Sequence, residues 1–516
     1  MKESSSHETS ARLLKGGFIS MLNSILVIVF STAYTILVAR LLGSYGYGIV
    51  ATCTALLSIL SGIAGLGIPF AIAKYISKYA ALKDWGSTKA VLRVAFKYIV
   101  ILGLAFSVLL LLLAEWIATS LYHNPGLVNI FRIIALALPP ALLLSGILSA
   151  FQGFQKISYY MFAQSSSVVL AVPIAVALMI MGYFATGALL GTAIGTVLAC
   201  IFSIILLSRV LPKRSSKTRA GGVSRDILSF SIPMWLLGIG SLILWWYTTL
   251  LLGYVTSMQN VGYYSSSLGL TMFLLFIPVA IAVPLFPLIS ELWTLKDKKR
   301  LAVTFRTSIK LVFTILIPLA AGVAVFSDFA LTLLYGRDFI AGGGVLRILA
   351  IALFFMSIMR INDAILGGIG KPGINAKMYW AATVLAVALI TPLAWFYGIT
   401  GAAVGFLVAH IFIACLGIFF VKKLAGLSYP LSAFKVPLLA VAVMLAVVIP
   451  LRYVVVNALQ AILVGILGIL IYIFTFLKLG GIKREEISLL EHISADIGKP
   501  RAFAGVIKFL KKFTKQ

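Results

Sequence analysis

The sequence predicts an all-α polytopic membrane protein with about fourteen transmembrane helices. Two six-helix lobes related by a pseudo-twofold axis are followed by two further helices. Three observations lead to this fold class. Hydrophobic residues make up 61% of the chain and charged residues only 11%, with a mean hydropathy of +1.10, whereas soluble domains are nearer half apolar and a quarter charged. Apolar runs long enough to cross a bilayer recur along the chain, and its two halves repeat each other.

Each predicted helix rests on an apolar run of sufficient length. A transmembrane helix needs roughly 20 mainly apolar residues, and its internal hydrogen bonds satisfy the backbone in lipid. The runs that meet this requirement lie at about 17–39, 47–73, 94–118, 128–150, 160–181, 184–208, 227–253, 266–288, 305–327, 346–367, 377–396, 399–420, 434–455 and 457–478.

The formal net charge of +28 is concentrated on one side of the predicted bundle. Loops on that side contain Lys74, Lys78, Lys83, Lys89, Arg93, Lys156, Arg209, Lys213, Arg214, Lys217, Arg219, Arg225, Lys296, Lys298, Lys299, Arg300, Lys371, Lys422 and Lys423. The opposite side has little beyond Arg40, Arg337 and Arg452. This positive-inside pattern predicts a multi-pass protein of the cell (plasma) membrane with both termini in the cytoplasm. Topology and anionic inner-leaflet lipid account for the charge, so we expect no nucleic-acid partner.

The internal repeat is visible in short matches. FRIIALAL at 131–138 returns as LRILAIAL at 346–353, so that Arg132 and Arg347 each begin an apolar run, 215 residues apart. Further pairs in the same chain order are Gly153 with Gly368, Lys156 with Lys371, Leu121-Tyr122 with Leu334-Tyr335, TGALLG at 186–191 with TGAAVG at 400–405, and LLG at 41–43 with LLG at 251–253. Several matches at nearly one offset indicate a duplicated half.

The repeat divides the chain into five parts. They are an N-terminal lobe at 1–208, a basic cytoplasmic linker at 209–226, a C-terminal lobe at 227–420, two extra helices at 421–478 and an amphipathic basic tail at 479–516. Six spans is an even number, so both lobes insert the same way up, with a cavity between them. We expect the tail to lie on lipids of the inner leaflet; a partly disordered tail is the alternative.

Particular segments also resemble a known family. They are ARLLGSYGYGIV at 39–50, GLGIPFAIAKYISKY at 65–79, RIIALAL at 132–138 and FQGFQK at 151–156. With these, the chain resembles the polysaccharide and oligosaccharide-lipid flippases of the multidrug/oligosaccharidyl-lipid/polysaccharide (MOP) exporter superfamily. The extra helices are more similar to its fourteen-span members, including lipid II flippases, than to twelve-span drug extruders. The resemblance implies a MATE-like fold and alternating access for a polyprenyl-linked, pyrophosphate-bearing sugar.

An anionic head group requires cationic partners, and ionisable residues within a membrane are candidates for function because burying an unpaired charge is costly. The candidate substrate-binding residues are Arg40, Lys74, Lys97, Arg132, Arg347 and Arg360. The alternative is structural, since long basic side chains reach the interface from helix ends, and Arg360 can pair with Asp363 one turn away. Bidentate binding of phosphate favours Arg40, Arg132 and Arg360.

The candidate coupling residues are Asp363, Glu115 and Glu291, with Na⁺ or H⁺ as the coupling ion. A cation-coupled multidrug or metabolite extruder of the same fold is the alternative function. It would need a carboxylate deep in the bundle, and neither the first nor the seventh predicted span contains one. A polytopic enzyme is a third possibility, but the longest loop, 209–226, has only 18 residues. We expect a monomeric transporter without cofactor or metal site.

Overall fold

The computed structural model describes residues 2–211 and 223–481, with the side chains of 2–28 and 458 excepted, and these residues form helices joined by short turns and loops. The helical segments of the first half are Lys2–Ala64, Ile68–Ala81, Trp85–Trp116, Ile117–Leu121, Pro125–Leu127, Val128–Gly153, Ile157–Leu178, Met179–Tyr183 and Phe184–Val210. Those that follow are Val223–Val255, Met258–Leu274, Phe276–Thr294, Lys298–Val325, Ser327–Tyr335, Arg337–Gly342, Gly343–Gly368, Pro372–Ala425, Ser432–Arg452 and Ala458–Lys478.

Eleven helical segments in the described part of the chain are long and apolar enough to cross a membrane. Three of them are interrupted by a glycine with positive φ, namely Gly43 (67°), Gly182 (92°) and Gly398 (57°), a conformation that glycine adopts without steric penalty. Dividing the segments there gives fourteen spans, as the sequence predicts. We number the spans in chain order; span 2 runs from Gly43 through Ile68–Ala81, and span 8 joins Met258–Leu274 to Phe276–Thr294.

The turns that precede spans 5 and 11 have the same backbone conformation. The N–H of Lys156 donates to the carbonyl oxygen five residues earlier at 2.9 Å, and that of Lys371 makes the equivalent bond at 2.8 Å. The residue before each lysine is left-handed, with φ of 56° at Gln155 and 77° at Gly370. The repeat that the sequence indicates at these lysines is therefore a repeat of structure as well.

A second pair of equivalent turns precedes spans 3 and 9. Lys83 and Lys296 are both left-handed, with φ of 55° and 57°. The aspartate after each lysine caps the next helix, because the Asp84 and Asp297 carboxylates each accept the N–H three residues later at 3.0 Å. The hydrogen bond from Ser87 holds the pKa of the Asp84 carboxyl below its ordinary value. These four turns belong to the lysine-rich loops. We call the side of the bundle on which they lie the basic end.

Spans 2 and 8 are each interrupted shortly before a proline. Residues 65–67 separate the two parts of span 2 ahead of Pro69, and Leu275 separates those of span 8 ahead of Pro278. Proline has no N–H and its ring crowds the preceding turn, so a helix does not pass through it unbroken without cost. The two prolines are 209 residues apart, and the breaks are thus equivalent in the two lobes.

The extra helices pack on the C-terminal lobe. Val441 and Met444 of span 13 and Tyr472 and Phe476 of span 14 belong to the same buried cluster as the residues of spans 7–12. The hydroxyl of Tyr472 donates to the carbonyl oxygen of Thr314 in span 9 at 2.7 Å. The architecture is therefore two six-span lobes with spans 13 and 14 attached to the second.

The helix of span 7 extends beyond the predicted bounds. This helix, Val223–Val255, begins four residues before the predicted span and contains Asp226 in its first turn. The span therefore does contain an acidic residue, although at the basic end and not deep in the bundle. The predicted linker, 209–226, overlaps this helix and the end of span 6 at Val210; its residues 212–222, like those of the predicted tail from 482, lie outside the described residues.

Candidate functional site

Spans 2 and 8 cross closely at the end of the bundle opposite the basic end. A Cβ atom on Gly48 would lie 1.7 Å from the carbonyl oxygen of Met258, and one on Gly262 would lie 2.0 Å from that of Ser44. Ser44 and Met258 are 214 residues apart and so are Gly48 and Gly262, which makes each pair equivalent positions of the two lobes. The same contact between a glycine and a carbonyl oxygen therefore occurs twice. This is the geometry of a twofold axis, which therefore passes between the two glycines.

Two charged side chains join the lobes at the same end, which we call the opposite end. Arg40 donates to the carbonyl oxygens of Leu333 and Leu334, with Nε 2.7 Å from the latter. In return, Asp338 Oδ2 accepts the backbone N–H of Ser44 at 2.6 Å. We name these contacts the Arg40–Asp338 latch. In this conformation the predicted substrate residue Arg40 is engaged in closing the opposite end.

At the basic end the lobes meet through spans 2 and 7. The hydroxyl of Tyr75 donates to the carbonyl oxygen of Asp226 at 3.1 Å. The ammonium group of Lys74 lies 3.7 Å from the centroid of the Phe230 ring, within the range of a cation–π interaction. Lys74, a second predicted substrate residue, is thus also an inter-lobe contact.

The most buried of the predicted charged residues lie in span 10. Arg360 is eight residues from the basic end of Gly343–Gly368, a depth of about 12 Å along the helix. Its guanidinium carbon is 5.4 Å from the centroid of the Trp245 ring. Asp363 Oδ2 accepts the hydroxyl of Tyr379 at 2.8 Å. Within the described part of the chain, Arg360 and Asp363 form no direct salt bridge, and Arg360 Nε and Asp363 Oδ1 are buried without hydrogen-bond partners.

Three neighbouring side chains also have an unpaired buried atom: Asn362 Nδ2, Asn375 Oδ1 and His410 Nε2. Their other polar atoms are engaged, since Tyr429 donates to Asn362, Asn375 donates to the Asp363 carbonyl oxygen at 3.3 Å, and His410 Nδ1 lies 2.8 Å from a carbonyl oxygen of its own helix. Buried polar atoms are nearly always hydrogen-bonded, so this group has capacity for a polar ligand. We call Arg360, Asp363, Asn375, Tyr379 and His410 the C-lobe polar cluster; the Asn362 side chain lies instead against Tyr429 and Gly417.

The structure places four other predicted residues away from this cluster. Lys97, Glu115 and Glu291 are exposed, and their side chains make no hydrogen bond or ion pair with the residues described. Arg132 is also exposed and donates only to Asn129 of its own helix, at 3.3 Å. None of the four contacts the C-lobe polar cluster.

Arg347 lies in a separate charged group at the opposite end. Its Nη2 is 2.6 Å from Asp328 Oδ2, and its Nε donates to the hydroxyl of Ser327 at 2.9 Å. Arg452, at the end of span 13, contacts the same Asp328 oxygen at 2.7 Å. The two arginines that head equivalent apolar runs therefore have different partners.

Sequence reasoning missed three residues that complete these sites. Tyr379 and Asn375 reach the cluster from span 11, and Asp338 reaches the latch from a short helix. Their partners are a side chain or a backbone group of a different helix, so sequence spacing does not indicate them. For the residues described, no group of three or more His, Cys, Asp or Glu side chains could hold a metal ion.

Comparison with known proteins identifies the family. A family model described as polysaccharide biosynthesis protein matches residues 13–293, more than half of the chain. The chain belongs to this polysaccharide biosynthesis family. A second model, MatE, matches residues 233–393, a range that includes every residue of the C-lobe polar cluster except His410, and both families fall within the MOP superfamily that the sequence resembles.

Individual relatives agree with this membership. The lipid II flippase MurJ of Bacillus subtilis is 23% identical over 472 residues, which are 84% of this chain and 86% of MurJ. The probable low-salt glycan biosynthesis flippase Agl15 of Haloferax volcanii is 26% identical over 210 residues, 41% of this chain and 43% of Agl15. A solved structure of MurJ in an inward closed conformation superposes with a TM-score of 0.74 at 15% identity, covering 89% of this chain and 98% of that one. The protein is thus a multi-pass membrane protein of this two-lobe fold, and these relatives are transporters.

Proposed function

We propose that the protein is a flippase that moves a polyprenyl-(pyro)phosphate-linked oligosaccharide or polysaccharide precursor from the inner to the outer leaflet by alternating access. On this proposal it is a monomeric transporter and carries out no chemical reaction. Spans 2, 7 and 8 form the interface along which one lobe moves against the other. The sugar head crosses between the lobes while its tail remains in lipid.

Arg360 is the observation that carries the proposal. Its guanidinium lies next to Trp245, about 12 Å along span 10 from the end of the helix, and its buried Nε has no partner. An unpaired cation in a membrane is costly and marks a functional position, and arginine suits phosphate because its planar fork binds two oxygens at once. Arg360 is therefore our leading candidate for the phosphate contact, ahead of Arg40, Lys74, Lys97, Arg132 and Arg347.

Asp363 is the leading candidate for coupling to a Na⁺ or H⁺ gradient. One of its oxygens accepts the Tyr379 hydroxyl and the other is unpaired, so it can accept a proton or contribute to an oxygen-rich cation site. Its proximity to Arg360 links the two roles, because neutralising or binding at Asp363 changes the field at the guanidinium. Glu115 and Glu291, which are exposed, are weaker candidates.

Orientation in the cell membrane follows from the charge distribution. We place the basic end and both termini in the cytoplasm on the positive-inside rule, with the basic tail on the inner leaflet. Arg360 then lies in the half of the membrane from which the substrate enters. A cysteine placed in the turn at Lys371 and labelled by an impermeant thiol reagent only in inverted vesicles would support this orientation.

The direct test is transport by purified protein. Proteoliposomes containing a polyprenyl-pyrophosphate oligosaccharide with a fluorescent sugar head are exposed to an impermeant quencher, with and without a Na⁺ or pH gradient. We expect the quenched fraction to rise only when protein is present. Arg360→Gln should abolish this rise, whereas Arg300→Gln, at an exposed arginine that pairs with Asp297 three residues earlier, should retain it. If the lipid stays unquenched with wild-type protein under every gradient, the proposal is wrong.

The alternative is a cation-coupled multidrug or metabolite extruder of the same fold. It draws support from the MatE match over residues 233–393, which contain Asp363. The same proteoliposomes decide between the two functions: gradient-driven efflux of a cationic dye without movement of the lipid would favour the extruder.

A further inference from the structure

A groove on the lipid-facing side of the C-terminal lobe begins at two arginines. A cavity of about 360 Å³ is lined by Arg347, Arg452, Tyr453, Ile351, Ile449 and Val325 among others. It opens at the opposite end, between spans 9, 10 and 13. The groove lies apart from the inter-lobe contacts and from the C-lobe polar cluster, and of the transport candidates above Arg347 alone lines it.

The charges at the head of the groove do not balance. Arg347 and Arg452 share one oxygen of Asp328, at 2.6 Å and 2.7 Å, so two positive charges face one negative charge. Nη1 of Arg347 and both Nε and Nη1 of Arg452 have no hydrogen-bond partner among the residues described. The side chains are partly exposed, at 44% and 36%. The site therefore has a net charge of +1 and free guanidinium donors directed at the surface.

Asp328 is fixed in its place, which holds the arginines together. A Cβ atom on Gly343 would lie 1.8 Å from Asp328 Oδ1, so the carboxylate occupies the space that a side chain at the start of span 10 would take. Ser327 Oγ lies 3.4 Å from the same oxygen and also accepts Arg347 Nε. Arg347 of span 10 and Arg452 of span 13 therefore both bind a carboxylate whose position is fixed.

Below the arginines the groove continues as an apolar channel. A second cavity, of about 190 Å³, shares Ala324 and Ile351 with the first and is lined only by apolar side chains, including Leu316, Phe354 and Leu438. Beside the head of the groove Tyr453 is 85% exposed, as is typical of an aromatic residue at a membrane interface. A positive head with an apolar channel beneath it matches the shape and polarity of a lipid and differs from a site for a free anion.

We propose that this arginine groove binds a resident anionic membrane lipid whose head group carries one phosphodiester and no cationic group. The phosphate accepts hydrogen bonds from the unused N–H groups of Arg347 and Arg452, and one acyl chain follows the apolar channel along spans 9, 10 and 13. A charge of −1 on the phosphodiester matches the +1 of the site. The bound lipid fastens span 13 to the C-terminal lobe.

Native mass spectrometry of the full chain in detergent tests this proposal. The probes are phosphatidylglycerol, phosphatidylcholine, inorganic phosphate and geranylgeranyl pyrophosphate. We expect one phosphatidylglycerol to bind more tightly than phosphatidylcholine. Arg452→Gln should weaken binding about tenfold, because charge-assisted hydrogen bonds are lost. Arg132→Gln, at the equivalent position of the other lobe to Arg347, should leave binding unchanged.

Other outcomes would overturn the proposal. Equal binding of phosphatidylglycerol by Arg452→Gln and wild type excludes the arginine groove. Displacement by inorganic phosphate at matching concentration indicates a simple anion site, and stronger binding of geranylgeranyl pyrophosphate indicates a site for the transported lipid. Arg452→Gln keeps the Arg347–Asp328 pair, so the fold should survive. If it does not, Ile351→Trp, which fills the channel and leaves both arginines, must weaken phosphatidylglycerol binding for the proposal to stand.

Discussion

The crossing of spans 2 and 8 gives a sharp prediction about lobe movement. Gly48→Ala would place a Cβ atom 1.7 Å from the carbonyl oxygen of Met258, where an ordinary contact needs at least 3.4 Å. The two helices would have to separate by about 1.7 Å, and overpacking of this kind costs about 1–3 kcal/mol. That penalty falls only on conformations in which the opposite end is closed. The ratio of closed to open molecules should therefore fall about 5- to 150-fold.

Distance measurements between the lobes test this prediction. Spin labels at Leu41 and Ile340, which are 43% and 56% exposed, flank the crossing on the two lobes. Cys415, the one exposed native thiol of the three, would be replaced by serine. We expect Gly48→Ala to shift the inter-label distances to longer values and to slow lipid flipping. Gly262→Ala, with its Cβ 2.0 Å from the Ser44 carbonyl oxygen, should behave in the same way.

The matched control is Gly238→Ala. Gly238 also lies within a transmembrane helix, in span 7, but a Cβ atom there meets nothing within 4 Å. It should leave both the distances and the flipping rate unchanged. If Gly48→Ala and Gly262→Ala give the same distances as Gly238→Ala, the crossing does not control closure and the reasoning is refuted.

Three further predictions concern other contacts. Asp363→Asn should slow flipping and lower the free energy of unfolding by about 3 kcal/mol, because the buried Arg360 loses its nearby negative charge. Tyr379→Phe should lower the free energy of unfolding by only about 1 kcal/mol, and equal losses in thermal unfolding would contradict this. Arg40→Gln should lengthen the Leu41–Ile340 distance by breaking the latch, and no change relative to Arg132→Gln would exclude that role. Gln155→Gly should raise the unfolding temperature by relieving left-handed strain of about 1 kcal/mol, whereas Gly370→Gln should lower it; a rise in both would contradict the equivalence of the two turns.

The sequence was most informative about the repeat. Lys156 and Lys371 matched at one offset, and their turns have the same hydrogen bonds and the same left-handed residue before the lysine. Hydropathy predicted the fourteen spans because the bilayer imposes a length on each apolar run. The match of Leu82-Lys83-Asp84 with Leu295-Lys296-Asp297, at an offset of 213, was present in the sequence but overlooked; the shared left-handed lysine became apparent only from the structure.

The candidate sites were harder to predict because a repeat need not preserve partners. Arg132 and Arg347 are equivalent, and Glu115 lies 213 residues before Asp328, the offset that also relates Tyr122 to Tyr335. Yet Arg347 pairs with Asp328 while Glu115 is left exposed. Span 13 adds Arg452 to the pair in the C-terminal lobe only. Which charges meet depends on packing between helices far apart in the chain, and no local pattern carries that information.

The glycine crossing has a mechanical consequence. Two rigid bodies that touch backbone to backbone at one end can use that contact as a fulcrum. A lobe about 30 Å tall that turns by about 15° around it moves its far end by about 8 Å. Gly48 and Gly262 place no side chain between the two helices at this contact, so a small angular change there is converted into a much larger displacement at the basic end.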